Sequence, residues 1–408
     1  MRIVYIHQYF RTPEMSGGTR SFEFARRLVA RGHEVQVVSA DIDGDGESSQ
    51  KWRESSSAGI RIHWASIPYN NKMSYRDRIK SFAGFAAAAC ARASKIPQDL
   101  VFATSTPLTV AIPGIYSARR NGVPFVLEVR DLWPEVPIAL GALKSAPAKA
   151  AARRLERWAY RRSAHVVALS PKMAENVEKL APGKSTTVIQ NGCDVDLFCD
   201  AEVLGKQLRA ATAWLGDRPL LLYAGTLGLV NGVSFLVRMA EHLVGIDPEI
   251  RLAVVGGGRE ESELKKLAQE LGVLNRNLFF VAPMPKNQVV AYFGACDLSF
   301  SVVQDMPILA GDSANKVFDA WAAGRPVAIN HGGWVADIIS RTGAGVILPN
   351  GDPIGAAKVV ASFVADSRRM AEARAAAGLL AQGDLSRDAL FSKFEAVLAR
   401  VSGQSNSG

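Results

Sequence analysis

The sequence predicts an α/β protein of two doubly wound domains, each built on a parallel sheet with helices on both faces. Three observations support this fold class. The chain has 408 residues, two to three times the length of a typical domain. Short apolar strand patterns alternate with helical patterns, and that alternation starts again after Asn191-Gly192. We therefore expect a first domain at 1–192, joined by a C-terminal helix at 387–401, and a second domain at 193–386.

In the first domain, a β-branched run at Ile3–Ile6 is followed by a glycine-containing turn and an apolar helical pattern that ends at Gly32. The next strand is predicted at Val35–Ser39. Further strands are predicted at Ile60–Trp64, Leu100–Thr104, Pro124–Val129 and His165–Leu169. Strands separated by helices are typical of parallel sheets made of βαβ units.

The second domain opens with a linker and first connection from Asn191 to about Asp217. Six strands are then predicted at Leu220–Tyr223, Arg251–Val255, Leu278–Val281, Leu298–Ser301, Pro326–Ile329 and Val346–Leu348. Doubly wound sheets bind ligands at the carboxyl ends of their strands. We therefore expect the functional site in a cleft between the carboxyl ends of the two sheets.

Composition excludes several classes of protein. With 48% hydrophobic and 21% charged residues, the chain is neither a disordered tail nor a collagen-like repeat. Four cysteines without a CxxC pair indicate no disulfide framework or structural zinc site. The longest apolar run, Phe82 to Ala91, is too short to span a bilayer, and the first ten residues do not resemble a secretory signal. The expectation is a cytoplasmic protein, or a peripheral one on the inner face of the cytoplasmic membrane.

The excess of positive over negative charge lies entirely in the first half of the chain. Residues 1–195 hold 28 basic and 17 acidic residues, whereas 196–408 hold 20 basic and 22 acidic residues. An anionic partner is expected for the first domain, either nucleic acid or an anionic membrane surface. A merely soluble basic surface would give the same count.

The basic residues of 72–96 flank an Ala-rich helical pattern. Six bases (Lys72, Arg76, Arg78, Lys80, Arg92, Lys95) occur with Tyr75, Phe82 and Phe85. Such a helix can lie in a membrane interface, where each base near anionic lipid contributes about 1 kcal/mol. The alternative is a buried helix, which we favour for 84–91, whereas the membrane interpretation is favoured for 72–82.

The most informative segment is 312–330, DSANKVFDAWAAGRPVAIN. Asp312 or Ser313 can cap a helix that ends at Gly324. The helix N-terminus attracts phosphate, Lys316 adds a full charge there, and the Asp319 carboxylate one turn later can accept both hydroxyls of a ribose. One helix would then hold the phosphate and ribose of a single nucleotide. Alternatively, Lys316 and Asp319 form only a surface ion pair.

This segment resembles the nucleotide-sugar motif of retaining GT-B glycosyltransferases of the family 4 type, in which two glutamates are separated by seven residues. Asp319 stands at the second, ribose-binding position, whereas the first falls on Gly311, beside Asp312. The form with Asn315-Lys316 before the apolar stretch is similar to a bacterial surface-polysaccharide subgroup (capsule, O-antigen, exopolysaccharide or lipopolysaccharide). The resemblance extends over most of the chain through Gly17-Gly18, 131–135, Ser170-Pro171, 191–194 and 223–225.

The chain departs from the family after the first strand of its second domain. The family often has an Arg and a Lys there to bind the donor diphosphate, but residues 225–232 contain no base. Buried phosphates need compensating charge, so Lys316 and the helix N-terminus are expected to supply it, with Arg325 or the Gly17 and Gly18 amides. The resemblance also places Thr226, Asn231 and Asn315 among the donor-binding residues.

In the first domain, Arg130 and Asp131 directly follow a predicted strand. Asp131 is the candidate for orienting an acceptor hydroxyl, and Arg130 stands where related enzymes often have a histidine. Alternatively, Asp131 caps a turn above Trp133. His7 is interpreted as a core histidine rather than a site residue, and His331-Gly332-Gly333 as either a source of backbone donors or a turn.

Three apparent ligand motifs are incomplete. The run Asp41-x-Asp43-x-Asp45-Gly46 has Trp52 where a calcium loop needs Glu. The acidic pair at Asp194 and Asp196 lies in the linker, and the glycines after Val255 do not complete a dinucleotide-binding motif. We therefore predict neither a metal nor a dinucleotide cofactor.

The resemblance implies a retaining transfer from a nucleoside-diphosphate sugar, with a UDP-sugar expected, to a lipid-linked glycan at the cytoplasmic membrane. The leaving diphosphate would help to remove the acceptor's proton. Two alternatives stay open: a UDP-sugar 2-epimerase of GT-B architecture, and a noncatalytic membrane-associated binding protein of the same fold. Nucleic-acid binding is disfavoured because the basic half contains no groove-reading helix or aromatic RNA motif.

Overall fold

The computed structural model describes residues 1–41, 51–69, 73–105, 107–311 and 313–403. The chain divides into two compact units. Unit 1 comprises Met1–Thr12, Thr19–Gln190 and Leu390–Gly408, and unit 2 comprises Pro13–Gly18 and Asn191–Ala389. The C-terminal helix therefore belongs largely to unit 1, whereas the short Gly17-Gly18 segment belongs to unit 2.

Unit 1 is built on an eight-stranded sheet with the order β3-β4-β2-β1-β5-β6-β7-β8. All neighbouring pairs are parallel except β3–β4, which is antiparallel. The strands are β1 (Arg2–Ile6), β2 (Glu34–Ala40), β3 (Trp52–Ser57), β4 (Ile60–Ala65), β5 (Leu100–Thr104), β6 (Phe125–Val129), β7 (His165–Ala168) and β8 (Thr186–Val188).

Helices cover both faces of this sheet. They are α1 (Arg20–Ala30), α2 (Tyr75–Ala93), α3 (Ala111–Asn121), α4 (Glu135–Ala139), α5 (Ala146–Arg162), α6 (Pro171–Leu180) and α15 (Arg387–Val401). On one face, Phe24 of α1 and Phe102 of β5 both pack on Phe394 of α15. On the other face, α2 and α3 contribute Phe85 and Ile115 to the core.

Unit 2 is built on a six-stranded, wholly parallel sheet with the order β11-β10-β9-β12-β13-β14. The strands are β9 (Leu220–Ala224), β10 (Arg251–Val255), β11 (Leu278–Val281), β12 (Leu298–Ser301), β13 (Val327–Ile329) and β14 (Gly345–Ile347). Most of their residues are buried, as expected for a sheet covered on both faces.

Two helical layers cover this sheet. The helices are α7 (Ala201–Ala211), α8 (Ser234–Ile246), α9 (Glu261–Glu270), α10 (Lys286–Ala295), α11 (Asn315–Ala322), α12 (Trp334–Thr342), α13 (Pro353–Ala365) and α14 (Ser367–Gln382). Helices α8, α9 and α13 contribute to one apolar core, and α10, α11 and α12 contribute to another. Unit 2 is therefore doubly wound.

The structure confirms each of the twelve predicted strands to within one residue at each end. Two strands were missed: β3, whose WRESSS sequence is too polar to stand out, and the three-residue β8. The helix expected to be capped by Ser313 begins instead at Asn315, after Ala314, without a side-chain cap. The other proposed cap, Asp312, lies outside the described residues.

The helix expected within 72–96 is α2, which is buried against unit 1 in its later half and exposed near its start. Phe85, Ala86 and Ala89 are buried against the unit 1 core, whereas Ile79 is 47% exposed. Arg76 and Lys80 are exposed as well, and Lys72 lies outside the described residues. In the described part of the chain, none of the helices has the length and apolar character that crossing a bilayer demands.

Candidate active site

The strand order of unit 2 places its candidate site between β9 and β12. The chain leaves β9 toward β10 on one side of the sheet and later returns to β12 on the other side. At such a switch point the loops after the two strands diverge and leave a ligand-binding crevice. The two loops here are 225–232 after β9 and 302–311 after β12.

The 225–232 loop, called the glycine loop below, is fixed by close backbone packing. The Leu227 amide donates to the Gly257 carbonyl at 3.0 Å. A Cβ at Gly256 would meet the Gly225 carbonyl oxygen, and a Cβ at Gly258 would meet the Leu227 oxygen. The glycines after Val255 therefore allow the β10 loop to pack against the glycine loop, which explains a glycine run that matches no dinucleotide motif.

Lys316, in the first turn of α11, extends to the glycine loop. Its Nζ lies 3.4 Å from the Tyr223 hydroxyl and 3.4 Å from Asn231 Oδ1, and 4.5 Å from the centre of the Tyr223 ring. The Tyr223 hydroxyl donates in turn to the Thr226 carbonyl at 2.8 Å. A Cβ at Gly225 would come within 3.1 Å of Lys316 Cε. The ammonium is thus placed beside the loop that has no base of its own.

The Gly17-Gly18 segment lies at the N-terminus of α11. A Cβ on Gly18 would come within 2.6 Å of Asn315 Nδ2. On the linker side, Asn191 Nδ2 donates to the Ser313 carbonyl at 2.6 Å. The structure therefore brings together Gly18, Asn315 and Lys316, which were predicted as donor-binding residues.

Asp319, one turn further along α11, is buried beside Lys286, the first residue of α10. Lys286 Nζ donates to Asp319 Oδ2, and the two side chains keep 9% and 10% of their surface exposed. The ammonium also lies 5.6 Å from the centre of the Phe198 ring. Lys316 and Asp319 are both buried, so the alternative of a surface ion pair between them is wrong.

A second buried ion pair lies close to the first. Arg387 donates to both carboxylate oxygens of Asp194, at 2.7 and 2.9 Å, and to the Gly192 carbonyl at 2.8 Å. The backbone reinforces this contact, because the Cys193 amide donates to Leu385 and the Arg387 amide donates to Cys193. Asp194 therefore holds the linker against the start of α15, and no metal motif is needed to explain it.

The pKa of Asp319 reflects these neighbours. Burial raises the pKa of its carboxyl group above the ordinary value, and Lys286 opposes that rise. Asp194 raises the pKa further, and Arg387 lowers it. The charge state of Asp319 therefore depends on the cation beside it.

Arg325 is not brought into this group. It follows α11 and precedes β13, and its guanidinium donates to the Gly294 carbonyl at 2.5 Å. Lys316 lies in the first turn of α11, which ends at Ala322, so about 9 Å of helix axis separates Lys316 from the helix end that precedes Arg325. Arg325 therefore stands at the amino ends of the strands, whereas the glycine loop is at the carboxyl ends.

In unit 1, Arg130 and Asp131 follow β6 at the carboxyl edge of the sheet. The Arg130 amide donates to Ser105 Oγ at 3.0 Å, and the Asp131 side chain is exposed. The end of β6 is fixed by Glu128, which is fully buried in an ion pair with Arg20 at 2.8 Å. A rigid strand end therefore presents Asp131.

The structure also contains the turn that was the alternative for Asp131. The Trp133 amide donates to the Asp131 carbonyl at 2.9 Å, and Trp133 packs against the unit 1 core. This bond uses the Asp131 backbone, so it does not compete with an acceptor for the carboxylate.

The two histidines differ from simple core residues. His7 is buried after β1, and burial lowers its pKa well below the ordinary value, as do the nearby Arg130 and Arg11. Within the described part of the chain its Nδ1 atom has no hydrogen-bond partner, so His7 is buried as predicted but not satisfied. His331 is also buried, its Nδ1 lies 2.8 Å from the Gly332 carbonyl oxygen, and the backbone bends at His331 and Gly333.

Lys286 is the site residue that sequence reasoning missed. A lysine at the first position of a helix is unfavourable, because the N-terminus already carries partial positive charge. This unfavourable position was the only feature of the sequence that pointed to Lys286. The contact with Asp319, 33 residues away, explains why a lysine stands there. Among the described residues, no three His, Cys, Asp or Glu side chains form a group that could hold a metal ion.

Comparisons with known proteins identify relatives of this chain. A D-inositol 3-phosphate glycosyltransferase of Xylanimonas cellulosilytica is 32% identical over 204 residues, 47% of this chain and 45% of the relative. The matched segment thus spans about half of that relative. The Escherichia coli (strain K12) glycosyl transferase WcaI, named for colanic acid biosynthesis, is 26% identical over 305 residues, 70% of this chain and 74% of the relative.

A solved structure shows the same fold. The Anabaena protein HepE in complex with UDP-glucose superposes with a TM-score of 0.71 at 18% identity, covering 98% of this chain and all of that chain. Residues 17–192 match the family described as "Glycosyl transferase 4-like domain", and residues 206–378 match "Glycosyl transferases group 1". The chain therefore consists of a glycosyl transferase 4-like domain followed by a group 1 glycosyl transferase domain, with the two-domain α/β fold of GT-B glycosyltransferases.

Proposed function

We propose that this protein is a retaining glycosyltransferase that moves a sugar from a nucleotide sugar, with a UDP-sugar expected, to a lipid-linked glycan during surface-polysaccharide synthesis. The donor class is supported by the HepE complex with UDP-glucose, and the pathway by the similarity to WcaI. The cytoplasmic face of the membrane is the corresponding location. No metal or cofactor is required in this proposal.

The observation that carries the proposal is the position of Lys316. The glycine loop has no Arg or Lys, yet an ammonium from another element lies beside it. A diphosphate bound over that loop would meet a buried cation, at the N-terminus of α11. The charge that the family's loop bases would supply is thus supplied from α11.

The other donor contacts follow from this placement. Asp319 accepts the ribose hydroxyls, as its position in the family motif implies. Thr226 and Asn231 of the glycine loop and Asn315 line the diphosphate and sugar, with amides of Gly17 and Gly18. The close approach of Gly18 to Asn315 supports this grouping.

In the proposed reaction, the bond between the anomeric carbon and the diphosphate oxygen breaks. The acceptor hydroxyl oxygen forms the new bond on the same face of the sugar, and its proton passes to the leaving diphosphate. Stabilisation of negative charge on the leaving group is then the main catalytic task. Lys316 performs it, and Asp131 orients the acceptor hydroxyl with Arg130 beside it.

The membrane surface proposed for unit 1 is the face formed by α2, α3 and α5, called the basic face below. Each of the three helices presents exposed basic residues, and two of them add exposed apolar side chains. The bases are Arg76 and Lys80 on α2, Arg119 and Arg120 on α3, and Arg153, Arg154 and Arg157 on α5; the apolar residues are Ile79, Ile112 and Tyr116. Bases around exposed apolar residues suit an anionic lipid interface.

A donor screen tests the activity. The purified protein is mixed with radiolabelled UDP-sugars and lipid-linked acceptors that differ in their terminal sugar, and both nucleotide release and label in the lipid extract are measured. Acceptor-dependent incorporation supports the transferase. Release of UDP without any acceptor would support the epimerase, and nucleotide binding without release or incorporation would support the noncatalytic binding protein.

Vesicle flotation tests the basic face. Replacing Arg76, Lys80, Arg119 and Arg120 with Gln should move the protein from vesicles containing anionic phospholipid to the soluble fraction. Arg92 is left intact because it pairs with Glu54. A control with Lys206, Lys265 and Lys266 of unit 2 replaced by Gln should float like the wild type. Unchanged flotation of the first variant would refute the assignment.

A further inference from the structure

Lys286 and Asp319 form a buried ion pair that is incomplete on the cation side. An ammonium has three N–H donors, but in the described part of the chain the Lys286 ammonium donates one hydrogen bond, to Asp319, and otherwise contacts the Phe198 ring. Buried donors without acceptors cost free energy. The two remaining donors therefore favour the arrival of an oxygen-rich ligand.

The neighbouring ion pair of Arg387 and Asp194 offers a comparison within the same unit. Arg387 meets both oxygens of Asp194 and also the Gly192 carbonyl. That pair lies at a chain crossing and is 3% exposed at each residue. Lys286 and Asp319 share a single hydrogen bond instead of two, and about a tenth of each side chain remains exposed.

We infer that Lys286 contacts the nucleotide sugar and that Lys286 and Asp319 together hydrogen-bond the ribose hydroxyls, with Lys286 donating and Asp319 accepting. A hydroxyl both donates and accepts a hydrogen bond. One ribose hydroxyl donates to the Asp319 carboxylate while its oxygen accepts from Lys286. The ammonium also keeps the carboxylate charged in its buried position. This inference rests on the proposed function, in which Asp319 contacts the ribose.

The pair provides discrimination against nucleotides that lack a ribose hydroxyl. A site built to hydrogen-bond a hydroxyl binds the deoxy analogue poorly, because its buried polar groups are then left unpaired. Loss of a hydrogen bond to a charged group reduces binding by roughly 10- to 100-fold. Discrimination should therefore depend on both members of the pair.

The experiment measures, by calorimetry on the full chain, the dissociation constants of UDP, 2′-deoxy-UDP and 3′-deoxy-UDP, and of GDP with its deoxy forms. The wild type should bind one of the deoxy analogues at least tenfold more weakly than the parent nucleotide. Lys286→Met should bring that ratio close to one. A lysine with a purely structural role would weaken all the nucleotides equally and keep the ratio.

A second comparison covers the case in which Lys286→Met does not fold because it leaves a buried carboxylate unpaired. Asp319→Asn alone is then compared with the Lys286→Met/Asp319→Asn double variant, in which no unpaired charge of this pair remains. The double variant should discriminate less than Asp319→Asn. Lys265→Met, which changes an exposed lysine paired with Glu261 on α9, should keep the wild-type ratio.

The outcomes separate the inference from the proposed function. If the wild type binds neither UDP nor GDP, or does not discriminate against any deoxy form, the ribose-binding role of Asp319 fails and the inference fails with it. If Asp319→Asn abolishes discrimination while Lys286→Met retains it, Asp319 keeps its role and Lys286 is only structural. Equal discrimination by Asp319→Asn and the double variant, at a ratio above one, would also overturn the inference.

Discussion

Removing the charge of Lys316 is the most direct test of the site. Lys316→Met keeps most of the length and apolar stem of the side chain but takes away the ammonium beside Asn231 and Tyr223. Lys316 is only 8% exposed, so solvent screens its charge weakly. The fold should survive, because the Lys316 Nζ contacts with Asn231 and Tyr223 are both long, at 3.4 Å.

The expected loss follows from electrostatics. A unit charge about 4 Å from a phosphate oxygen, at an effective dielectric constant of about 20, contributes about 4 kcal/mol. Removing one such stabilising group typically lowers kcat roughly 10²- to 10³-fold. We therefore expect turnover in the nucleotide-release assay to fall by at least tenfold and by up to about a thousandfold, with weaker binding of UDP.

Two further variants make this result interpretable. Lys316→Arg keeps a cation in place and should retain more activity than Lys316→Met. Arg325→Met changes a cation at the other edge of the sheet and should leave donor binding within about threefold of the wild type. Turnover of Lys316→Met within threefold of the wild type would refute the idea that α11 supplies the missing charge.

Three other predictions concern the frame of the site and the stability of unit 1. Gly225→Ala places a Cβ about 3.1 Å from Lys316 Cε at a φ of +157°, which residues with a side chain rarely adopt, so donor affinity and the melting temperature should both fall; unchanged affinity would contradict it. Asp131→Asn should lower acceptor-dependent transfer at least tenfold yet leave UDP binding intact, and equal losses in both would argue against an acceptor role. Burial raises the pKa of Glu156 to about 7 although Tyr160 and Asn176 donate to it, so the folded state favours its protonated form. Stability should thus fall between pH 4.5 and pH 7 by about 1.4 kcal/mol per pH unit, and the melting-temperature advantage of Glu156→Gln should be larger at pH 8 than at pH 5; an equal advantage at both would refute it.

The fold was predictable because the strands of a doubly covered parallel sheet are almost wholly apolar. Runs such as Leu220–Ala224 and Arg251–Val255 stand out against the polar connections around them. Strand β3 was missed for the opposite reason, since WRESSS lies at the sheet edge and is largely exposed. Helix caps were less predictable, because a serine before a helix does not reveal whether its carbonyl or its hydroxyl is used.

The sequence indicated candidate site residues more readily than the contacts between them. Asn315, Lys316 and Asp319 were found because they share a helix and a family motif. Asn231 was expected from the family resemblance, but no spacing rule predicts its contact with Lys316, and Lys286 was not predicted at all. Tertiary contact decides which polar side chains meet, so a single sequence gives the candidates without their pairing.

In the proposed site, the charge that binds the diphosphate comes from Lys316 of α11 and not from the glycine loop. The glycine loop contains no base and is tightly packed, because Gly256 and Gly258 lie close to the backbone of Gly225 and Leu227. A long basic side chain on that loop would have to share the space that Lys316 Nζ now occupies. The single ammonium of Lys316, held beside Tyr223, lies near both the N-terminus of α11 and the glycine loop. It follows that adding a second base to the loop, for example Asn231→Lys, should weaken donor binding, because two ammonium groups would then compete for one site.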